Sequence, residues 1–211
     1  MKKITPIQNN NETKFSQSNK YNNTLNPMKT DYQIVLSDTI QTIEHGTFDG
    51  CNIGEIHISK YVRYIEPGAF RDSEVGRFTI DAENPYYHSP ANSNCIMAKH
   101  NAELIALGTN GNIPKVVKQI GTFSIWVSKL SESNILKIPE GVEILCPLCI
   151  SASCGSKLEL HLPSTIKRIF YQEWTDECDS IAKIVVPKGQ RKRFSRMKNL
   201  QELKHVIIEE T

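Results

Sequence analysis

One phrase recurs along the chain and limits what it can fold into. It reads apolar, any residue, apolar, Ser or Pro, two residues, Val or Ile, two residues, Ile or Leu. Clear copies start at Ile34-Val35-Leu36-Ser37, Ile56-His57-Ile58-Ser59, Leu136-Lys137-Ile138-Pro139 and Leu160-His161-Leu162-Pro163. Partial copies are Phe78-Thr79-Ile80-Asp81, Ile113-Pro114 and Ile184-Val185-Val186-Pro187. The apolar residue that closes each first half falls at 36, 58, 80, 113, 138, 162 and 186, in steps of 22, 22, 33, 25, 24 and 24. A chain that holds phase at such a period folds as stacked copies of one small unit.

The unit follows from elementary chemistry. Alternating apolar positions such as Leu160 and Leu162 point to one face of a short strand. Pro163 ends that strand, because it has no N–H for a further ladder bond. The chain then turns, and Ile166 and Ile169 point back inward from the return leg. A single coil cannot cover its own apolar face, so neighbours must stack. Each inward Leu or Ile then contributes about 1.5–3 kcal/mol on full burial. Five residues after the closing Ile or Leu stands a bulky residue: Phe48, Phe70, Ile125, Ile150 and Trp174. It anchors the outer loop, and Gly46 and Gly68 permit a positive φ at the turn before Phe48 and Phe70.

The flanks differ from the repeats. Seven Asn stand among residues 1–30, with few large apolar residues and no period. Such a segment cannot offset its ordering entropy by burial, and it reads as a disordered leader. The repeats occupy residues 31–187, and residues 188–211 form a terminal segment. Charge is uneven along the chain although the net is only +2. Residues 1–30 hold five Lys and one Glu, 31–187 hold 13 basic and 19 acidic residues, and 188–198 hold six Lys or Arg and no acid. The near-neutral total gives no general attraction to nucleic acid. No run of 18 apolar residues is present, so no transmembrane helix is expected. Met1-Lys2-Lys3-Ile4 opens like a signal peptide, but the apolar core that should follow is replaced by polar residues.

Ile65-Glu66-Pro67-Gly68-Ala69-Phe70 and Ile138-Pro139-Glu140-Gly141-Val142 resemble BspA-type leucine-rich repeats. All steps but the 33-residue one lie in the 20–29 range of leucine-rich repeats. The long step holds Asp81-Ala82-Glu83-Asn84-Pro85-Tyr86-Tyr87, then Cys95-Ile96-Met97 and Glu103-Leu104-Ile105-Ala106. It resembles the long variant repeat of that family, in which an Asn-Pro-x-Tyr loop leads into a small hairpin. Ile184 to Gly189, followed by Phe194 and Leu200, resembles the family's C-terminal cap of a helix and a strand. The coils from Gly121 onward lack the Gly-Ala-Phe signature. The resemblance implies an α/β repeat fold: a leucine-rich-repeat solenoid with one curved parallel β-sheet, short outer turns, a hairpin insertion and a C-terminal cap. It also implies a cell-surface or secreted protein, whereas the polar N-terminus leaves a cytoplasmic one open.

Signals for chemistry are weak. Cys146-Pro147-Leu148-Cys149 is a CxxC, with Cys154, His161 and Cys178 following, but these lie in different coils and phases, unlike paired zinc knuckles. Neither a metal nor a cofactor is expected. HExxH, Gly-x-Ser-x-Gly, a P-loop and GxGxxG are all absent. The basic run at 188–198 reads as the solvated face of a terminal helix, with Phe194 and Met197 turned inward. The chain is therefore expected to be a non-catalytic, monomeric protein-binding scaffold without a small-molecule substrate, engaged in adhesion or recognition of a host or partner protein. An intracellular adaptor or effector is the alternative, and a binder of anionic surfaces or nucleic acid through the basic ends ranks last. If Ile56, Ile58, Leu160 and Leu162 point inward, alternation turns Glu55, His57, Glu159 and His161 to solvent. The same count exposes Arg77, Thr79, Asn112, Lys137 and Lys183. These nine side chains are the expected partner-binding face, in two rows across the sheet. A competing site is the 84–97 hairpin, if it projects from its coil.

Overall fold

The structure, a computed structural model, describes residues 33–127, 134–152, 157–170 and 181–211, and the backbone of Lys3 and Ile4. The rest of the Asn-rich leader lies outside the described residues, as do Cys154, Trp174 and Cys178.

The described residues form a solenoid of short, mostly parallel strands. Successive copies of the phrase lie side by side in register. Ile34 pairs with Ile56, and Ile56 with Phe78. Leu136, Leu160, Ile184 and Ile207 form a second stack. The closing residues stack on the return side, where Leu104, Ile120, Leu145 and Ile169 follow one another. Ile56, Leu160, Ile166 and Ile184 have no exposed surface, and Ile58, Leu162 and Ile169 are also buried. The anchors Phe48, Phe70, Ile125 and Ile150 are buried as their position predicts. Phe48 and Phe70 stack with centroids 5.0 Å apart, and Gly46 and Gly68 before them have φ of 72° and 80°. A side chain on Gly68 would strike the His45 ring at 2.6 Å.

Two expectations need correction. The first is the single curved sheet. The phrase strands fall into two separate ladders. One contains Lys3–Ile4, Gln33–Val35, Glu55–Ile58 and Phe78–Ile80; the other contains Ile135–Lys137, Leu158–His161, Ile181–Val186 and Ile207–Glu209. A six-stranded sheet and three two-stranded ones make up the other sides of the coils. The long step interrupts the phrase ladder, since residues 108–114 carry no strand. Helix is also scarce for an α/β fold: among the described residues the one α-helix is Arg191–Ser195, of five residues.

The second correction concerns the 84–97 segment, which does not project. Cys95–Ala98 pairs antiparallel with Tyr87–His88 on one side and Glu103–Leu107 on the other. All four of its residues are buried. Cys95 and Met97 pack into the core of the later coils, Ile96 and Ala98 into the core of the earlier ones. The strand is thus a partition shared by two cores, which is why it is apolar at every position rather than at alternate ones. Asn84 locks the loop before it. Its side chain, with no exposed surface, donates to Ser59 O at 2.8 Å and Val62 O at 3.0 Å, and accepts from the N–H of Tyr86 and Tyr87 at 2.8 Å each. The Tyr87 hydroxyl accepts the N–H of Ile65 at 2.9 Å.

At the far end Phe194 is fully buried and Met197 packs partly against the same core. Arg191 donates its N–H to the Glu209 carboxylate and its Nε–H to Ile207 O, each at 2.9 Å. Those bonds occupy the outer edge of the last strand.

Candidate functional site

The residues facing away from the phrase ladders form the candidate site. On the first ladder, Gln33, Glu55 and Arg77 lie in one row. Gln33 Nε2 donates to Glu55 Oε1 at 3.3 Å, and Arg77 Nη1 lies 3.9 Å from Glu55 Oε2. In the next row His57 pairs with Thr79, and His57 Nδ1 and Thr79 Oγ1 are 3.1 Å apart. On the second ladder Glu159 is the centre. Its two oxygens meet His161 Nε2 at 2.7 Å and Lys183 Nζ at 2.9 Å. Lys137 stands beside His161 in register and is exposed.

Eight of the nine anticipated residues therefore gather as two patches rather than two continuous rows. Glu55, His57, Arg77 and Thr79 form one; Lys137, Glu159, His161 and Lys183 form the other. Asn112 is exposed but sits in the strandless connection, outside both ladders. Its place was counted across the 33-residue step, where the coil path changes.

Opposite charges on each patch meet mostly across one repeat step, Arg77 with Glu55 and Lys183 with Glu159. Lys183, and then His161, hold the Glu159 carboxyl below the usual carboxylate range. A depressed folded-state value means that this interaction stabilises the fold above the unfolded-state pKa and is lost as pH falls through the folded one. In an NMR titration Glu159 should ionise below ordinary glutamates, and Lys183→Gln should move it back up. An unchanged midpoint in Lys183→Gln would contradict the pairing.

The cysteines show little of a reactive or metal-binding site. Burial pushes the Cys149 thiol up strongly, and burial followed by the charge of Glu103 pushes Cys146 up to about 11. Protonated thiols are poor nucleophiles and ligands at neutral pH. His161 is held by Glu159 on the outer face, whereas Cys149 is in the core. Among the described residues no group of three His, Cys, Asp or Glu side chains could hold a metal ion, and no helix is long and apolar enough to cross a membrane.

A feature missed by sequence reasoning adjoins the first patch. The first ladder stops at Phe78–Ile80, and beyond that edge lies a cleft of about 490 Å³. Residues 76–80 line one side; Ser89, Pro90, Ser93 and Asn94 line the other. Asn94 bridges them. Its Oδ1 accepts the Phe78 N–H at 2.8 Å, and its Nδ2 donates to Gly76 O and Thr109 O at 3.0 Å each. The 33-residue step was the only signal in the sequence for this break.

Stacked coils, inward Leu and Ile at a fixed phase, and parallel strands define a leucine-rich-repeat solenoid. The family model for the BspA type leucine rich repeat region matches residues 9–104 in six copies. No curated protein matches the chain. Among solved structures, it is similar to the pneumococcal vaccine antigen PcpA, with 13% identity, a TM-score of 0.38 and coverage of 84% of this chain and 62% of that one. A leucine rich cell surface protein from Faecalibacterium prausnitzii A2-165 is 21% identical, with a TM-score of 0.49 over 73% of this chain and 47% of that one. A leucine-rich repeat protein from Eubacterium ventriosum ATCC 27560 is 12% identical, with a TM-score of 0.40 over 74% of this chain and 60% of that one. The chain thus spans less than two thirds of each of these proteins.

Proposed function

We propose that the chain is a non-catalytic scaffold that recognises a protein partner through the outward side of its phrase strands. The supporting observation is the pair of ordered polar patches centred on Glu55 and Glu159. Side chains held by neighbours lose less entropy on binding than free ones. Both patches carry both signs of charge, which suits a moderate, partly electrostatic contact. The BspA-type repeats support adhesion, with the protein at the cell surface or secreted, as the setting. The 81–107 region is the family's long variant hairpin, and residues 188–211 are the cap that closes the core.

The experiment is binding of the full chain to a panel of extracellular-matrix and bacterial surface proteins by interferometry. Saturable, salt-sensitive binding is expected for at least one of them. Arg77→Glu, Lys137→Glu and Glu159→Lys together should weaken it about tenfold or more while leaving the melting temperature within a few degrees. Full binding by that triple variant would overturn the reading. Deletion of residues 86–94 is no control for this surface, because it removes the buried Tyr87 and Ser93.

A further inference from the structure

The edge of the Phe78–Ile80 strand has backbone groups to offer. In the parallel ladder Ile56 N–H bonds Arg77 O at 3.0 Å, and Asp81 N–H bonds Ile58 O at 2.9 Å. The alternation of a parallel ladder then turns Thr79 toward Glu55–Ile58 and turns Phe78 and Ile80 the other way. Phe78 N–H is taken by Asn94. The C=O of Phe78 and the N–H and C=O of Ile80 face the cleft, where no hydrogen bond to them is made among the described residues. An exposed strand edge of this kind is normally covered, charged or paired. Here it opens onto a cleft whose volume lies within the roughly 300–1,000 Å³ of ligand sites.

We infer that this cleft is a docking site for an extended segment of a partner protein, which adds as a strand beside Phe78–Ile80 and carries an acidic side chain opposite Arg77. Backbone hydrogen bonds supply the attachment and alternate side chains supply selection. The chemistry of those side chains follows from the edge. Arg77 and Thr79 flank the outward side, and among the described residues Arg77 is the one charged residue lining the cleft, with 70% of its side chain exposed. Phe78 is buried and Ile80 half-buried on the inward side. The segment therefore alternates apolar residues inward with an acidic and a small polar residue outward. Asn94 keeps the cleft open by tying the 89–94 loop to Gly76, Phe78 and Thr109 instead of letting it pair with the strand. This inference rests on the protein-recognition reading and adds a site and a chemistry to it.

The test uses a capped pentapeptide, Val-Asp-Val-Thr-Val, titrated into the isotope-labelled full chain and followed by NMR. Shifts should concentrate at residues 76–81 and 89–94, with a Kd on the order of 0.1–1 mM. Two N-methylated versions separate strand addition from side-chain contact. Methylation at Asp and Thr, or at the central Val, removes N–H groups from opposite edges of the peptide. One version should lose binding about tenfold or more and the other should keep it. Arg77→Glu should weaken the parent peptide by a similar factor. Equal binding of both methylated peptides, shifts elsewhere, or no binding up to about 5 mM would each overturn the inference. If the peptide fails while Lys137→Glu and Glu159→Lys still impair a protein partner, this inference falls and the wider reading stands. If peptide binding holds while those two variants have no effect, the cleft stands and the second patch does not take part.

Discussion

Asn84→Ala is expected to destabilise the protein by about 3–5 kcal/mol, because it strips partners from four backbone groups at once, three of them in buried bonds and the Tyr86 N–H in a half-buried one. The carbonyls of Ser59 and Val62 lose their donor, and the N–H groups of Tyr86 and Tyr87 lose their acceptor. Those groups belong to two successive coils, so the damage is to coil stacking as well as to one loop. Asn84→Asp separates the two halves of the role. It keeps an acceptor for the two N–H groups but sets a carboxylate against two carbonyl oxygens. That aspartate should have a raised folded-state pKa, so the variant recovers stability relative to the natural protein as pH is lowered, and loses it as pH rises. Denaturant melts of both variants across pH check this. A loss below about 0.5 kcal/mol in Asn84→Ala would mean that water replaces the amide and that the loop is not held as described.

Leu160→Ala is expected to cost about 2–5 kcal/mol, the range for a buried Leu whose site cannot collapse. Leu160 has no exposed surface and stands between Leu136 and Ile184 in the second stack. Ile138→Ala, also at a buried position, should fall in the same range. The exposed Lys137 on the same phrase is the control, and Lys137→Ala should change stability by no more than about 0.5 kcal/mol. Because stability in a repeat array is a sum of local and nearest-neighbour terms, the melt of Leu160→Ala should be accompanied by faster amide exchange in 135–162 than in 33–65. Uniform acceleration, or a cost for Leu160→Ala like that of the control, would contradict the inward phase.

The inward phase was legible because the repeat enforces it. Ile56 and Leu160 hold one position of the phrase and Ile166 another, and a position that recurs at the period of the stack must meet its own copy in the next coil. Phe48 and Ile150 were legible for the same reason. The broken ladder was not, although the 33-residue step announced something unusual. Counting residues places Asn112 only if the path of the coil is unchanged, and here the chain spends the extra residues on an antiparallel pair and skips a phrase strand. Cys95-Ile96-Met97-Ala98 did carry a signal. Four consecutive apolar residues without alternation fit a strand buried on both faces, and that pattern argues against a projecting hairpin. Asn84 gave no such sign: its four partners include two atoms 22 and 25 residues earlier, and only the stacking brings them near.

The patches show the same limit. Alternation turned Glu55, His57, Glu159 and His161 outward, but which charges meet depends on register. Glu159 with Lys183 is an opposite pair 24 residues apart, and Glu55 with Arg77 one 22 residues apart, each a single repeat step. Lys60 with Glu83, Arg71 with Asp49 and Lys167 with Glu143 follow the same rule on exposed turns. Exposed pairs of this kind add little stability individually, because solvent screens them. Their effect on the surface is to fix side-chain positions.

The most direct test of recognition by the outward side of the phrase strands is amide hydrogen exchange of the full chain with and without a protein partner captured from the panel. Protection is expected in segments 33–35, 55–58, 78–80, 135–137 and 158–161, with the return side, at 119–120, 144–145 and 168–169, unchanged. Protection confined to the return-side segments, with the phrase strands exchanging as in the unbound protein, would contradict the account.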